Sequence, residues 1–518
     1  MCVADWTGFS RTLQQAFGSV LSLIAAGACP SSGSCEGEVP GRPDAEFVGF
    51  SDTGATPWEA RSSTAPVGVP PGIEHSSVKW IYTVSTDATA RTAGVTSWKI
   101  EGNVVELMDG TICFGTGDAT RWVVCLTREG RFRWSTLPRD IAGGIAGGPT
   151  VMPNGRVAIL FSMGGMAYAD PESDQPFHGS GGAPELGYLE FDSTRSPYSP
   201  APSGCGGIYF VTYGNRLGND TGEFIGEPSS LLLEDFPPAL LWKWQYLSPR
   251  HFGQWGGVQG CTAVLSTGQN SSDNPFGHVD SLLLVGPDGS LREVETGKAI
   301  LGVRVVDHAT VAFWTETWRR AGWEWEDGRV EWCTMSTTET EPQPSCVPLE
   351  GLVPDAKFVV AEGGDPVAFR DVGWNPSLGG AYLVGRWSAD GTLRWTHEFD
   401  GCRRPEACLG QPVLGEGGSV LIATNQVDET WAHAVLWILN GDGAPVDRLD
   451  IEGFTVNGIV SPILARDGTL YLVGADSPDG GDGNSIIAIQ TPVAGLPPET
   501  PGWPVYNRRT ARGDSWLP

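Results

Sequence analysis

Asp390-Gly391-Thr392-Leu393-Arg394-Trp395 is followed by Gln411-Pro412-Val413 and then by Gly417-Gly418-Ser419-Val420-Leu421-Ile422-Ala423. A second copy reads Gly441-Asp442-Gly443-Ala444-Pro445-Val446, then Ser461-Pro462-Ile463, then Asp467-Gly468-Thr469-Leu470-Tyr471-Leu472-Val473-Gly474. Each copy alternates a short apolar strand with a glycine-containing tight turn. The copies lie about 50 residues apart, and self-similarity at such a period marks a propeller or another array of repeated units.

Fainter copies extend in both directions. Trp80-Ile81-Tyr82-Thr83-Val84 alternates as a half-buried strand does. Asp109-Gly110, Asn154-Gly155 and Asp288-Gly289 sit between apolar runs, where a turn needs a positive φ at its centre. Arg128-Glu129-Gly130-Arg131-Phe132-Arg133-Trp134 matches Asp390–Trp395. Counting the central strands gives eight units, with seven as the alternative, at four strands per unit. No stretch after residue 30 shows a 3.6-residue period. The expected fold is all-β, a single β-propeller of four-stranded blades over residues 76–495.

Composition agrees. Among 518 residues there are 71 Gly, 39 Pro and 21 Trp, and only 18% are charged, which suits many short strands joined by tight turns. The formal net charge of −28 disfavours a nucleic-acid backbone as partner.

An Asp-Gly-x-x-x-Trp strand, then Ser/Gln-Pro, then Asp-Gly-x-Val/Leu resembles the pyrroloquinoline-quinone-like β-propeller repeat. Quinoprotein alcohol dehydrogenases and an outer-membrane assembly lipoprotein share it, and the tail Gly502-Trp503-Pro504-Val505-Tyr506-Asn507-Arg508-Arg509 is similar to a segment found beside such repeats. The resemblance implies a propeller and leaves the activity open, because one fold hosts many functions. In the quinone enzymes of the family the cofactor stacks on a disulfide of adjacent cysteines, with Ca²⁺ beside it. This chain has no Cys-Cys pair and no matching block of metal ligands. No quinone cofactor is therefore expected.

The N-terminal region differs from the rest. Arg11 precedes an apolar run ending in Ala26-Gly27-Ala28-Cys29, which has the parts of a secretory signal peptide over residues 1–28. Ala26–Cys29 also resembles a bacterial lipobox, with Cys29 as the lipidated residue. Residues 29–75, rich in Pro, Gly and Ser, read as a tether. Residues 496–518 read as a tail that docks on the propeller.

Eleven cysteines support export, because loop-closing disulfides belong to an oxidising compartment. The expected pairs are Cys113–Cys125, Cys205–Cys261, Cys333–Cys346 and Cys402–Cys408. Cys29 is either lipidated or joined to Cys35. No C-x-x-C occurs, so a zinc reading is disfavoured.

Candidate sites are few. Asp476, Asp479 and Asp482 gather carboxylates in a glycine-rich loop that could hold Ca²⁺, or form a solvated turn. Trp314, Trp318, Arg319, Arg320, Trp323 and Trp325 have the composition of a binding surface, for protein or glycan. Their alternative is a long hairpin whose Trp and Arg side chains stack across strands. Trp134 and Trp395 are expected to fill the wedge between neighbouring blades. Gly-x-Ser-x-Gly is absent and no His shows a local catalytic partner.

The expected function is a non-catalytic, exported or lipid-anchored propeller that binds an envelope or extracellular protein or glycan. It would touch a membrane only through its N-terminal lipid. The alternative is an enzyme with its site on the propeller axis, quinone-dependent or hydrolytic.

Overall fold

A computed structural model describes residues 76–92 and most of residues 100–496, namely the strands and their tighter turns. The chain divides into two units, Met1–Phe50 and Ser51–Pro518, and every described residue belongs to the second. The expected leader, Cys29, Cys35 and the tether lie outside the described residues, as does the tail beyond Leu496.

The fold is all-β and propeller-like. Its first strand is β1 (Ser77–Thr83), and a five-residue helix, α1 (Ala88–Thr92), follows it. The Asp87 carboxylate starts that helix, because its Oδ1 accepts from the amides of Thr89 at 2.8 Å and Ala90 at 3.2 Å. The strands then come in fours, each four an antiparallel sheet in chain order. The first sheet holds β2 (Ile100–Glu106), β3 (Ile112–Thr116), β4 (Val123–Leu126) and β5 (Phe132–Thr136). The second holds β6 (Ile145–Val151), β7 (Val157–Phe161), β8 (Gly165–Ala169) and β9 (Tyr188–Glu190). The third holds β10 (Ala201–Pro202), β11 (Gly207–Gly214), β12 (Ile225–Leu232) and β13 (Ala239–Lys243). The fourth holds β14 (Arg250–Gln259), β15 (Thr262–Asn270), β16 (His278–Val285) and β17 (Leu291–Lys298).

The fifth sheet has β18 (Gly302–Val305), β19 (Thr310–Ala321), β20 (Glu324–Ser336) and β21 (Ser345–Pro348). The sixth has β22 (Lys357–Val360), β23 (Pro366–Asn375), β24 (Gly379–Trp387) and β25 (Leu393–Cys402). The seventh has β26 (Val413–Leu414), β27 (Val420–Val427), β28 (Ala432–Leu439) and β29 (Pro445–Ile451). The eighth is different. Its strands β30 (Thr455–Val456) and β31 (Ile463–Leu464) both pair β32 (Thr469–Ala475), which pairs β33 (Ser485–Gln490). Its outermost strand is β1, antiparallel to β33 from Ser77 opposite Gln490 to Thr83 opposite Ser485. The sequence reading places the Trp80 strand at the head of the first unit; in the structure it completes the last.

First strands of the first five sheets touch in succession, β2 with β6, β6 with β10, β10 with β14 and β14 with β18, and in the eighth sheet β31 touches both β26 and β2. Sheets therefore stack on one another, and inner strands such as β3 and β4 are buried on both faces, while the outer β17 and β21 are partly exposed. All seven residues of β32 are buried, which is why it reads as a continuous apolar run rather than an alternation. Core clusters straddle the stacked sheets. One joins Tyr82, Tyr471 and Val473 of the eighth to Ile112 and Phe114 of the first. Another joins Phe369 and Trp395 of the sixth to Val420 and Ile422 of the seventh.

The Asp-Gly turns have one physical explanation. The carboxylate of Asp109, Asp390 or Asp467 accepts the amide of the threonine two residues on, at 2.9, 3.1 and 2.9 Å. The intervening glycines stand at φ 82°, 88° and 82°, a region that costs an L residue strain. After β33 the chain lies across the Asp467-Gly468 turn and the short 3-10 turn Glu416–Gly418. Gly495 donates to Ala465, Ala494 accepts from Glu416, and Leu496 packs on the core between the sixth and seventh sheets.

Candidate functional site at the joint of the first and eighth sheets

Five elements bring charge to one place where the first and eighth sheets meet. Glu106 ends β2, Asp109 lies in the turn after it, and Arg128 sits in the turn between β4 and β5. Lys79 comes from β1, and Asp467 from the turn between β31 and β32. Arg128 pairs with Asp467 across 339 residues of sequence. Lys79 Nζ lies 3.6 Å from the same carboxylate and donates to Thr469 Oγ1 at 2.7 Å. Arg133 pairs with Asp109 at 2.6 Å.

The two central carboxyls are driven apart. Burial pushes Glu106 up to about 7, and the Asp467 charge adds to that against the opposing pull of Arg128 and Lys79. Asp467 is also raised by burial, but hydrogen bonds from Arg128 and Thr469, with the Lys79 charge, bring it down to about 2. The Tyr471 phenol beside them is pushed up by burial and by Glu106 and Asp467. A carboxyl poised near neutrality beside an ionised one is an arrangement that can hold and release a proton. Two fixed cations next to it can also orient an anionic group.

Nothing local in the sequence foretells this cluster, since its members come from both ends of the repeat array. Arg128 and Asp467 are recognisable only as turn residues beside Gly130 and Gly468.

The residues singled out from sequence fare differently. Cys113–Cys125 and Cys333–Cys346 are disulfides, each joining directly opposed residues of adjacent strands. Cys261 is disulfide-bonded; Cys205, its expected partner, lies outside the described residues, as does Cys408, the expected partner of Cys402. These disulfides fit an oxidising, exported environment. Among the described residues no helix is long and apolar enough to cross a membrane.

Trp314 is a correction. It is 3% exposed, within a core cluster shared with Trp332 and Phe358, and so belongs to no binding surface. A Cβ at Gly302 would overlap its ring, and Arg304 stacks on it at 5.4 Å. The placement follows from register: Trp314 stands opposite Gly302, where β19 is still flanked by β18. Beyond that pair β19 and β20 continue together, with Thr317 opposite Arg329, Arg319 opposite Glu326 and Arg320 opposite Trp325. Trp318, Arg319, Arg320 and Trp325 thus ride on a hairpin that outruns its flanking strands. Trp323, Asp476, Asp479 and Asp482 lie outside the described residues.

Trp395 does fill a joint between sheets. It is 9% exposed, and its Nε1 donates at 3.1 Å to Gly441 in the turn between β28 and β29 of the next sheet. Trp134 is 5% exposed at the corresponding place on β5.

No family model matches the chain, and no curated protein matches it. Solved structures similar to it include Sqt1 of Chaetomium thermophilum, at 11% identity over 76% of this chain and 95% of that one, with a TM-score of 0.46. AztD of Citrobacter koseri matches at 12% identity over 68% of this chain and 86% of that one, with a TM-score of 0.40. A variant of the Synechocystis apocarotenoid oxygenase matches at 14% identity over 68% of this chain and 92% of that one, with a TM-score of 0.37.

Proposed function

We propose that the chain is an exported, eight-bladed propeller of the pyrroloquinoline-quinone-like repeat type, held to a bacterial envelope membrane by lipid on Cys29, and that it binds a protein or glycan without chemistry of its own. The observation that carries this reading is the closure of the eighth sheet by β1. A strand from the start of the repeat region that seals the last sheet turns a row of sheets into a closed array. It also lets the preceding chain leave from a sheet edge, where a tether has free passage to a membrane. The disulfides support the compartment. The overrunning β19–β20 hairpin, with Arg and Trp in its register, supports a binding surface.

The test has two arms. Cys29→Ser moves the protein from the membrane to the soluble fraction if lipid holds it; unchanged partition removes the anchor. Crosslinking in the envelope, with wild type beside a variant whose residues 317–328 are replaced by a short turn, reads the surface. A discrete adduct lost only in the shortened variant supports the hairpin as the contact. Identical adducts from both proteins would remove it.

One observation favours the enzymatic alternative. Glu106, near neutrality at the end of an innermost strand, is suited to acid–base work on a bound glycan or ester. Hydrolysis abolished by Glu106→Gln, with an unchanged melt, would establish that reading instead.

A further inference from the structure

The two disulfides seen whole in the structure share one register geometry but not one environment. Cys113 and Cys125 are both fully buried, on the middle strands β3 and β4. Cys346 stands half-buried on β21, the outermost strand of the fifth sheet, opposite the buried Cys333 of β20. Glu331 precedes Cys333 by two residues on β20, so both side chains leave the same face of the strand. The Glu331 carboxylate and the two sulfurs all lie within 4.8 Å of one another. Lys298, at the end of β17 in the neighbouring sheet, pairs with Glu331 through Oε2, which leaves Oε1 free of that pair.

We propose that Cys333, Cys346 and Glu331 form a metal site for a thiophilic divalent cation of the Zn²⁺ type, masked while the cysteines are joined and opened by thiol–disulfide exchange. A dithiol reductant supplies two electrons and two protons. Its thiolate attacks Cys346 Sγ, the accessible sulfur, and Cys333 leaves as thiolate and takes up a proton. The second thiol of the reductant then displaces Cys346, which leaves as the other thiol, and the reductant departs as a disulfide. Binding the cation releases the two thiol protons, so that two thiolates and one carboxylate oxygen hold it.

The donor set suits that ion. Thiolate is the soft ligand that Zn²⁺ prefers over Ca²⁺ or Mg²⁺, and three protein ligands leave a fourth position for water or a ligand. Directly opposed strand positions keep the two sulfurs on one side of the sheet after the bond opens. Two thiolates and a carboxylate exceed the charge of the cation by one. The Lys298 ammonium, already in place on Glu331, offsets that excess and orients the carboxylate as an outer-shell partner does.

The experiment uses the full, oxidised chain with Co²⁺ and Zn²⁺ as probes. It is treated with a phosphine reductant without denaturant, the reductant is removed, and Co²⁺ is added. A thiolate-to-cobalt charge-transfer band appears, Zn²⁺ abolishes it, and oxidised protein gives none. Mass mapping after alkylation then shows Cys333 and Cys346 labelled in the reduced apoprotein and protected by Zn²⁺, with Cys113 and Cys125 unlabelled throughout. Glu331→Gln weakens Co²⁺ binding about tenfold or more while both thiols still react. Labelling of Cys333 and Cys346 that Zn²⁺ leaves unchanged would overturn the proposal. So would a pair that stays oxidised under native reduction, or equal affinity in Glu331→Gln.

Discussion

The indole nitrogen of Trp80 donates to the carbonyl oxygen of Arg128 at 2.9 Å, across the joint between the eighth and first sheets. Two residues after Arg128, Gly130 stands at φ 76°, and a Cβ there would overlap the Trp80 ring. Trp395 repeats this relationship on the following sheet: it donates to Gly441, and a Cβ on Gly443, at φ 81°, would overlap its ring. Both tryptophans lie on the outermost strand of their sheet. The joint between the eighth and first sheets is thus built on the same plan as that between the sixth and seventh, with β1 supplying the tryptophan.

That plan predicts a graded response to alanine. Gly443→Ala meets both the positive φ and the Trp395 ring. Gly417→Ala, at φ 67° with nothing within 4 Å of its Cβ, meets only the first. Gly417→Ala is expected to cost about 1 kcal/mol. Gly443→Ala adds an overlap and is expected to cost about 2–4 kcal/mol. Thermal melts of the two variants check this, and equal losses would separate the tryptophan from the turn. Trp395→Ala is expected to lower stability by about 3–5 kcal/mol.

Much of this was legible in the chain because each blade-like unit carries its own turn chemistry. Asp390-Gly391 and Asp467-Gly468 predict their turns from two residues each, and Trp395 predicts its wedge from spacing. Cys113–Cys125 and Cys333–Cys346 follow from short loops between opposed strands. Trp80 was legible as a strand residue but not as part of the last sheet, since strand order in space is not written in local pattern. Trp314 and Trp325 lie in one apolar and charged run, yet only the extent of β18 decides that the first is core. The Glu106 cluster was illegible, because its perturbation comes from burial and from Asp467, which is remote in sequence.

Glu106 predicts an unusual pH dependence. Its carboxyl titrates near 7 in the folded chain and near its ordinary 4.5 when unfolded. Between those values the folded state binds more protons, so stability falls as pH rises through that window. The loss is at most about 3 kcal/mol. Asp467 acts oppositely. Its depressed value, about 2 against 3.8, contributes stability that is present above 3.8 and lost as pH falls toward 2. Glu106→Gln is therefore expected to flatten the stability profile between pH 5 and pH 8, in denaturant titrations at each pH, and to leave the acid limb unchanged. A profile that keeps its slope would assign the neutral limb to another group.

Arg386, held by Asp365 of its own sheet, forms a second bond between sheets. Arg386 Nη2 lies 2.9 Å from Asp365 Oδ2, both side chains at most 10% exposed, and Nη1 reaches Gly441 of the seventh sheet at 3.2 Å. Asp365 Oδ1 accepts from the Ala389 amide at 3.1 Å. Asp365→Ala leaves a buried guanidinium without its counter-charge and is expected to cost about 3–5 kcal/mol. Replacing both residues by apolar ones of similar size is expected to cost less than Asp365→Ala alone. Chemical denaturation of the single and double variants measures the difference.

The contribution of β1 can be isolated by truncation. A chain beginning at Ser76 keeps Val78, Trp80 and Tyr82, which are 8%, 4% and 0% exposed, and keeps the amide of Ser76 that donates to Asp447 of β29. It is expected to melt as the full chain does. A chain beginning at Ala88 loses that burial, the ladder to β33 and the Trp80 bond to the first sheet. The bare edge of β33 would present unpaired amides and carbonyls beside an apolar face, a template for pairing with another chain. The shorter chain is therefore expected to aggregate or to melt far lower, and a peptide of residues 76–87 added in trans is expected to restore part of the loss. Equal melts for the two truncations would show that the eighth sheet holds without β1, and closure through that strand would then be ornamental to the fold.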